Sequence, residues 1–575
     1  MTIQALARSI TGERTWPVLL DAAVFIVVMG VACAVLMVGH VWLGPVNDHA
    51  TISRSPSALP LYALYSLVRM TVAYVLSMAF AITYGYVAAY NRRVRAVMLA
   101  VLDILQSIPV LSFLPGVMLA MVALFPARQL GVEIGSVILI FTGQVWNMAF
   151  SFYASLRSIP KELREASKIY RFGWLQRFVQ LELPYATIGL VWNSMVSVAG
   201  GWFFLMACEM FVLGKRDFRL PGLGSYLQSA ASAGDTGAIL WGLGAMIAVI
   251  ILIDQLVWRP AIAWSEKFKF EQVEATAAPE SWVLNLLRKS PLLTRVQQKT
   301  LAPLDDYMCT NAGRMAEGGA VTGGAVGKTV LAVLVAAALA AAAGLGVVEA
   351  FHTLTGINWS EVMITVESAG ATFLRVLVSL AIASLWTIPA GVAIGLSPRL
   401  ARIAQPLAQI AASVPATALF PVVLLALIKL GGGLNAGSIL LMLLGTQWYI
   451  LFNVIAGATA IPSEFLEVAE IFRFSRLDRW RKVILPGIFP YLITGLVTAS
   501  GGAWNASIIA EYFHFQGKVL STFGLGAEIS SATDDGNFAV LLLSTIVMAT
   551  LVVTVNRMLW RPLYHLAETR YKLES

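Results

Sequence analysis

Charged side chains are scarce in this chain. Asp, Glu, Lys and Arg together make up 13% of its 575 residues, and 58% of the residues are hydrophobic. A soluble globular protein carries about 25% charged residues, so this composition excludes a soluble enzyme and a disordered scaffold. The three cysteines and five histidines are too few and too scattered for a disulfide framework or a zinc site. What the chain has in abundance is long apolar runs, which predict an all-α polytopic membrane protein.

The apolar runs have the length of membrane spans. A helix that crosses a bilayer needs about 20 predominantly apolar residues. Twelve runs meet this requirement and predict twelve transmembrane helices. They cover residues 18–43, 59–90, 96–125, 132–156, 184–213 and 238–258, followed by 329–351, 366–396, 400–430, 434–460, 486–515 and 538–560.

The basic residues indicate the orientation of these spans. Most of the 40 Lys and Arg residues fall on one side if both termini are placed in the cytoplasm, as the positive-inside rule requires. The first run is too long for a signal-peptide core, so we expect a retained anchor. The basic residues are divided among short loops, which disfavours nucleic-acid binding.

The chain contains an internal repeat. Trp258-Arg259-Pro260 recurs as Trp560-Arg561-Pro562, and an ungapped offset of 302 positions relates the two copies back to Gly143 and Gly445. The pattern predicts two fused six-helix units, 1–260 and 329–575, joined by a cytoplasmic linker, 261–328. Because six is even, both units have the same orientation in the membrane.

A long polar loop separates the fourth and fifth spans of each unit, at 157–183 and 460–485. A connection that only reverses the chain would be shorter. A proline opens each loop, and two acidic residues follow at a spacing that places them on one face of a helix. These residues are Glu162 and Glu165 in the first loop and Glu464 and Glu467 in the second. The loops predict surface helices that dock into a partner.

Within these loops, Glu165-Ala166-Ser167 precedes Leu183-Pro184 by the interval found in the EAA loop of importer permeases of the ATP-binding cassette (ABC) class. The second loop keeps the interval with Glu467-Val468-Ala469 and Leu485-Pro486. The chain therefore resembles the ABC-importer permeases of MetI-like fold. It departs from their pattern at Arg171 and Arg473, where the family has glycine.

The segments Ser107-Ile108-Pro109 and Ala207-Cys208-Glu209 resemble those of the nitrate/sulfonate/taurine type of permease, here with two permease units in one chain. The resemblance implies a translocation subunit of the inner membrane for a small anion such as nitrate, a sulfonate, taurine or bicarbonate. It further implies two cytoplasmic ATPase subunits and usually an extracytoplasmic binding protein. ATP and Mg²⁺ are then expected on the ATPase subunits, with no cofactor, metal or catalytic site in this chain.

Glu209 and Glu511 recur within or near apolar spans, where an acid is costly and indicates a function. Two interpretations stay open for them. They could face each other across a central path, or each could be capped by an arginine or by backbone N–H groups and help to fold the segment around Gly222–Gly224.

Prolines interrupt the third spans and free backbone groups that need protein or water as partners. We therefore predict that these segments line the path, and that Trp202 and Trp504 either gate it or pack at the interface between the units. The predicted lining residues are Gln106, Ser107, Pro109, Gln409, Ser413 and Pro415.

A secondary transporter of the major-facilitator type is the alternative, because it also has six plus six spans and a long central loop. Such a transporter needs no long helical loop between the fourth and fifth spans of each half. The two loops that end in Leu-Pro favour the ABC permease.

Overall fold

The computed structural model describes residues 52–268, 281–288 and 346–570, apart from a few positions within these ranges, together with positions 299 and 344 and several residues between 37 and 44. The predicted spans 18–43 and 329–351 lie largely outside these residues, and so does most of the linker 261–328. The statements below concern the described part of the chain.

The first half is built from helices and one short hairpin. In chain order it contains α1 (Leu59–Tyr90), α2 (Arg92–Ser107), α3 (Leu114–Leu124), α4 (Gln129–Ser158), α5 (Lys161–Ile169), α6 (Trp174–Arg177), α7 (Leu183–Glu209), β1 (Val212–Leu213), β2 (Arg216–Asp217), α8 (Leu223–Ala233), α9 (Thr236–Ile253), α10 (Arg259–Ser265) and α11 (Trp282–Arg288).

The second half repeats the same order of elements. It contains α12 (Trp359–Gly395), α13 (Pro398–Ser413), α14 (Ala416–Lys429), α15 (Leu434–Thr459), α16 (Ser463–Ile471), α17 (Arg476–Arg479), α18 (Leu485–Ala510), β3 (Tyr512–Phe515), β4 (Lys518–Ser521), α19 (Leu525–Asp535), α20 (Phe538–Val555) and α21 (Arg561–Arg570). The repeated order agrees with the repeat found in the sequence.

Eight helical segments in the described residues are long and apolar enough to cross a membrane, and nine if the bent pair α13–α14 counts as one span. The runs 96–125 and 400–430 are each divided into two helices, as the prolines predict. Each run breaks before a proline, where Ile108 (ψ 128°) and Val414 (ψ 118°) are extended. A residue that precedes proline is pushed out of the helical region, and α13 and α14 consequently meet at 88°.

Four π-helical turns occur at matching positions of the two halves. They span Phe178–Glu182, Asp254–Trp258, Trp480–Ile484 and Asn556–Trp560. Each turn ends two residues before a proline, whose ring and missing N–H are incompatible with a regular α-helical turn. The wider turn accommodates the proline, so the helix continues through Leu183-Pro184 and Trp258-Arg259-Pro260. The prediction that one span begins at Leu183-Pro184 and another ends at Trp258 is therefore wrong.

The core of each half is a row of three helices. α4 packs between α1 and α7, and α15 packs between α12 and α18. The buried face of α1 carries small side chains at Ser66, Ala73, Ser77 and Ala81, each fully buried. Their counterparts on α12 are also small, which allows helices in a membrane to approach closely. These residues are Thr372, Ser379, Ala383 and Thr387.

Each of the helices α7 and α18 is followed by a two-stranded antiparallel hairpin and a short helix, α8 or α19. The predicted spans 184–213 and 486–515 therefore end about one turn earlier than the apolar runs do. The turn of the second hairpin contacts the first half, because the Gln516 N–H donates to the Ala231 carbonyl at 3.1 Å. Hence the ends of α7 and α18 that carry the hairpins lie on the same side of the molecule, and α5 and α16 lie on the other.

Candidate functional site

The helices α5 and α16 occupy the polar loops that the sequence indicates. Each begins directly after a proline, Pro160 or Pro462, and carries an acidic residue in its first turn. The carboxylates of Glu162, Glu165, Glu464 and Glu467 are all exposed. Negative charge is favourable near a helix N-terminus, so these helices are stable with their acids turned to solvent.

Both helices end in the same hydrogen-bonded motif. The Phe172 N–H donates to Ser167 O, and the Arg171 N–H donates to Lys168 O, at 2.9 and 3.0 Å. This Schellman arrangement requires a left-handed residue after the helix. Arg171 adopts φ 51° and Arg473 adopts φ 49° to provide it. Glycine adopts this left-handed conformation without strain, which explains the glycine expected here from the resemblance. Arg171 and Arg473 adopt the same conformation although each has a Cβ atom.

One face of each loop helix is anchored and the other is open. Ser167 and Ala469 are buried at matching positions, and Arg164 donates from Nη2 to the Leu156 carbonyl at 2.6 Å, which ties α5 to the end of α4. Ala166 is half-buried, whereas Val468 is exposed. Beside the exposed acids lie large apolar side chains that no described part of the chain covers. These are Ile169, Tyr170, Ile471 and Phe472, all at least 70% exposed. We call the acids and these four apolar residues the loop surfaces.

The first loop has a further anchor that sequence reasoning missed. Glu182 is buried and accepts from Arg177 Nε at 2.8 Å and from the Tyr90 hydroxyl at 2.6 Å. The second copy has Ile484 at the corresponding position, also buried. The two loops are thus attached to the bundle differently, one by an ion pair and the other by apolar packing.

At the opposite end of the first half, three charged side chains form a buried cluster. Arg69 Nη1 donates to Glu209 Oε1 at 2.9 Å, and its Nε and Nη2 bind both oxygens of Glu133 at 2.6 and 2.8 Å. All three side chains are at most 1% exposed. Ser66 Oγ and the Gly224 N–H also donate to Glu209, at 2.6 and 2.7 Å. Every oxygen of the two carboxylates therefore has a donor, as a buried charge requires.

The second half builds the corresponding cluster with one acid fewer. Arg375 Nη1 donates to Glu511 Oε1 at 2.9 Å, and Arg375 Nη2 donates to Asn435 Oδ1 at 3.2 Å. Asn435 occupies the position of Glu133 under the 302-residue offset. Thr372 and the Gly526 N–H complete the hydrogen bonds to Glu511. One arginine faces two carboxylates in the first cluster and a single carboxylate in the second.

These clusters explain the glycines of the repeated Gly-Leu-Gly segment. A Cβ atom on Gly222 would lie 2.2 Å from Cδ of Glu209, and one on Gly524 would lie 2.4 Å from Oε2 of Glu511. Of the two interpretations open for Glu209 and Glu511, the geometry is that of a capped carboxylate which holds the hairpin and the following helix in place. Glu133 was missed, because the sequence does not show which helix faces Arg69.

A cavity of about 800 Å³ lies between the two halves and extends to the end that carries α5 and α16. Of the predicted path residues, four line it: Trp202, Gln409, Ser413 and Pro415. Its walls come from α4, α7 and the end of α9 in the first half, and from α13, α14, α15 and α18 in the second.

Gln106, Pro109 and Trp504 are not among the described residues that line this cavity. Gln106 is exposed and Pro109 is buried, and the side chain of Ser107 is outside the described part. Trp504 is 1% exposed and stacks on Phe373 with ring centres 6.3 Å apart, so it packs inside the second half. The proline break of the first half is instead held by the second, because the Leu111 N–H donates to Asn505 Oδ1 at 3.4 Å.

A second cavity, of about 470 Å³, lies at the opposite end between the two halves. Tyr512 and Asp534 line it and are joined by a hydrogen bond of 2.8 Å from the tyrosine hydroxyl. Burial raises the pKa of the Asp534 carboxyl, and the Tyr512 hydroxyl opposes this shift. Burial and the neighbouring carboxylate both raise the pKa of Tyr512.

Among the described residues, no group of three or more His, Cys, Asp or Glu side chains is placed to hold a metal ion. The eight apolar helices of membrane-spanning length that the structure describes are those of an integral membrane protein. The sequence profile of the binding-protein-dependent transport system inner membrane component matches twice, at residues 81–257 and 387–561. The chain belongs to this family. It is therefore a multi-pass transport component and not an enzyme, and the major-facilitator alternative is set aside.

Several proteins named as transport permeases are similar to this chain. The nitrate import permease of Leptolyngbya laminosa is 29% identical over 32% of this chain and 63% of its own length. The bicarbonate transport system permease of Synechococcus elongatus is 28% identical over 32% and 64%. The taurine transport system permease of Escherichia coli is 31% identical over 29% and 57%. The chain thus spans about three-fifths of the length of these relatives.

Proposed function

We propose that this chain supplies both permease units of the membrane-spanning part of an ATP-driven importer in one polypeptide. The observation that carries the proposal is the pair of loop surfaces. Two helices of the same length, each with exposed acids and exposed apolar residues, lie at the same end of the molecule. A monomeric protein rarely exposes large contiguous apolar patches to water, and patches of this kind mark protein interfaces.

The partners of the loop surfaces are two cytoplasmic ATPase subunits, one for each helix. One relative named above is an import permease and the other two are transport system permeases, which supports this assignment. ATP and Mg²⁺ bind to those subunits, and this chain supplies the coupling residues. They are Glu162, Glu165, Ala166, Ser167 and Arg171 in the first loop and Glu464, Glu467, Val468, Ala469 and Arg473 in the second.

The proposal also implies an orientation of the chain in the membrane. The loop surfaces face the cytoplasm together with both termini, in agreement with the distribution of basic residues. The hairpins and the 470 Å³ cavity then face the outer side, where a substrate-binding protein delivers the solute. The solute is a small anion of the kind that the names of the relatives give, and its path runs through the 800 Å³ cavity past Trp202.

A double charge reversal tests the coupling role. Glu165→Lys with Glu467→Lys places repulsive charge on both loop surfaces without touching the buried core. We expect the variant to insert normally, to lose the ATPase subunits on affinity purification and to lose solute uptake. Asp535→Lys, an exposed charge reversal at the opposite end, is the matched control and should retain the ATPase. Wild-type amounts of bound ATPase on the double variant would overturn the proposal.

A further inference from the structure

The lining of the 800 Å³ cavity is aromatic and nearly free of charge. Eight aromatic side chains contribute to it, among them Trp192, Phe203 and Phe204 from the first half and Trp448 and Phe452 from the second. Asp254 is the one charged residue among the lining residues that the structure describes. It binds Arg259 Nε at 3.1 Å, so its charge is already matched by a partner.

This lining fits poorly to an inorganic anion. An anion in a low-dielectric site is costly unless a cation or several donors meet it, and the described lining offers no Lys or Arg, only neutral donors such as Asn147 and Gln405. The volume of the cavity also argues against an inorganic anion. An ion such as nitrate occupies roughly the volume of two water molecules, at about 30 Å³ each. A volume of about 800 Å³ falls in the range of sites that enclose organic ligands.

The aromatic side chains are held in place and are not a loose hydrophobic surface. The ring of Phe204 lies against Gly143, where a Cβ atom would approach it to 2.2 Å, and it contacts Phe203 edge-to-face with centres 5.4 Å apart. Gln409 donates to Met195 Sδ across the two halves at 3.3 Å. Trp192 keeps 43% of its surface exposed and so presents a ring to an occupant.

We propose that the cavity binds an organic solute with a planar aromatic or heteroaromatic body. The ring of the solute stacks on the aromatic wall near Trp192, since aromatic pairs prefer offset or edge-to-face contact. Neutral groups of Asn147, Gln405 and Tyr449 meet its polar end. The inference rests on the proposed import function, but it assigns a ring-containing solute in place of the ring-free nitrate, bicarbonate and taurine that the relatives' names give.

A pair of probes with the same head group tests the role of the ring. Benzenesulfonate and methanesulfonate differ only in the body that carries the sulfonate. We expect the full-length chain in lipid nanodiscs to bind benzenesulfonate about tenfold more tightly, measured by equilibrium dialysis. Nitrate should bind no better than methanesulfonate. Equal affinity for the two sulfonates, or tighter binding of nitrate, would overturn the inference, and so would a cavity filled by lipid that no ring-containing probe displaces.

Substitutions locate the binding in the cavity. Trp192→Ala should weaken benzenesulfonate binding about fivefold, and Trp192→Phe should restore most of it because a ring remains. Trp241→Ala is the matched control, since Trp241 is 62% exposed and lies outside the cavity. Equal loss in Trp192→Ala and Trp241→Ala would contradict the location.

The binding assay requires no ATPase, which separates the two claims. Loss of ring selectivity with the ATPase subunits still bound removes this inference and leaves the import function standing. Failure of any ATPase to bind the chain removes the import function, whatever the dialysis shows.

Discussion

At the residue scale, the two arginine clusters are a natural comparison within one chain. The first places Arg69 between Glu133 and Glu209, and the second has Asn435 in place of the additional acid. Breaking a buried ion pair by removing one partner leaves an uncompensated charge and costs about 3–5 kcal/mol. Loss of the arginine should therefore be far more harmful than loss of the extra acid.

We predict that Glu133→Asn, which copies the composition of the second cluster, yields a folded protein with a small change in melting temperature. Arg69→Met leaves two buried carboxylates with no cation and should lose about 3–5 kcal/mol of stability. Thermal unfolding in detergent, followed by size-exclusion chromatography, measures both. A lower melting temperature for Glu133→Asn than for Arg69→Met would contradict this account of the cluster.

The close approach of backbone and carboxylate gives a second prediction at this scale. Gly222→Ala introduces a Cβ atom 2.2 Å from Cδ of Glu209. The cluster must shift, at a cost of about 1–3 kcal/mol. Gly244→Ala on α9 is the control, since a Cβ atom there meets nothing within 4 Å. Unfolding temperatures should fall for the first variant and hold or rise for the second. A fall of similar size in both would show that the contact with Glu209 is not the cause.

At the scale of the element, the loop helices end with arginines in a conformation that suits glycine. A left-handed residue with a Cβ atom costs about 1–2 kcal/mol. We predict that Arg171→Gly stabilises the end of α5 by about 1 kcal/mol, whereas Arg171→Val destabilises it. Hydrogen exchange of the Phe172 N–H, which closes the motif, is the measurement. Faster exchange in the glycine variant would count against the argument.

The helices also show what an amino-acid sequence can and cannot specify. Hydropathy located eight of the spans, because burial in lipid or protein requires long apolar runs. Hydropathy alone does not show the breaks at Pro109 and Pro415, because apolar residues continue on both sides of each break; the prolines themselves predicted them. It also treated Leu183-Pro184 as a boundary, although a π turn carries the helix through it. Hydropathy measures composition, and backbone direction depends on local sterics.

The sequence also predicts only part of the candidate site. The internal repeat places Glu209 and Glu511 at equivalent positions, and their apolar surroundings predicted a structural or functional role for both. Their arginine partners and Glu133 come from other helices, and no spacing along one helix shows which neighbour it faces. The loop surfaces were predictable, because the acids and the opening proline lie within one short segment.

At the scale of the whole molecule, the two halves repeat their elements but contribute unequally to the cavity. The break between α13 and α14 lines it, whereas the corresponding break of the first half is held by Asn505. The first loop is attached by an ion pair and the second by apolar packing. A fused chain allows such differences, because each half can change without its copy.

The central claim is that one chain provides both docking sites for the ATPase subunits. Native mass spectrometry of the complex purified with its ATPase tests it most directly. We predict one copy of this chain with two ATPase subunits, and one ATPase fewer when only Glu165→Lys or only Glu467→Lys is introduced. A complex with two copies of this chain, or one in which a single wild-type chain binds one ATPase, would contradict the account.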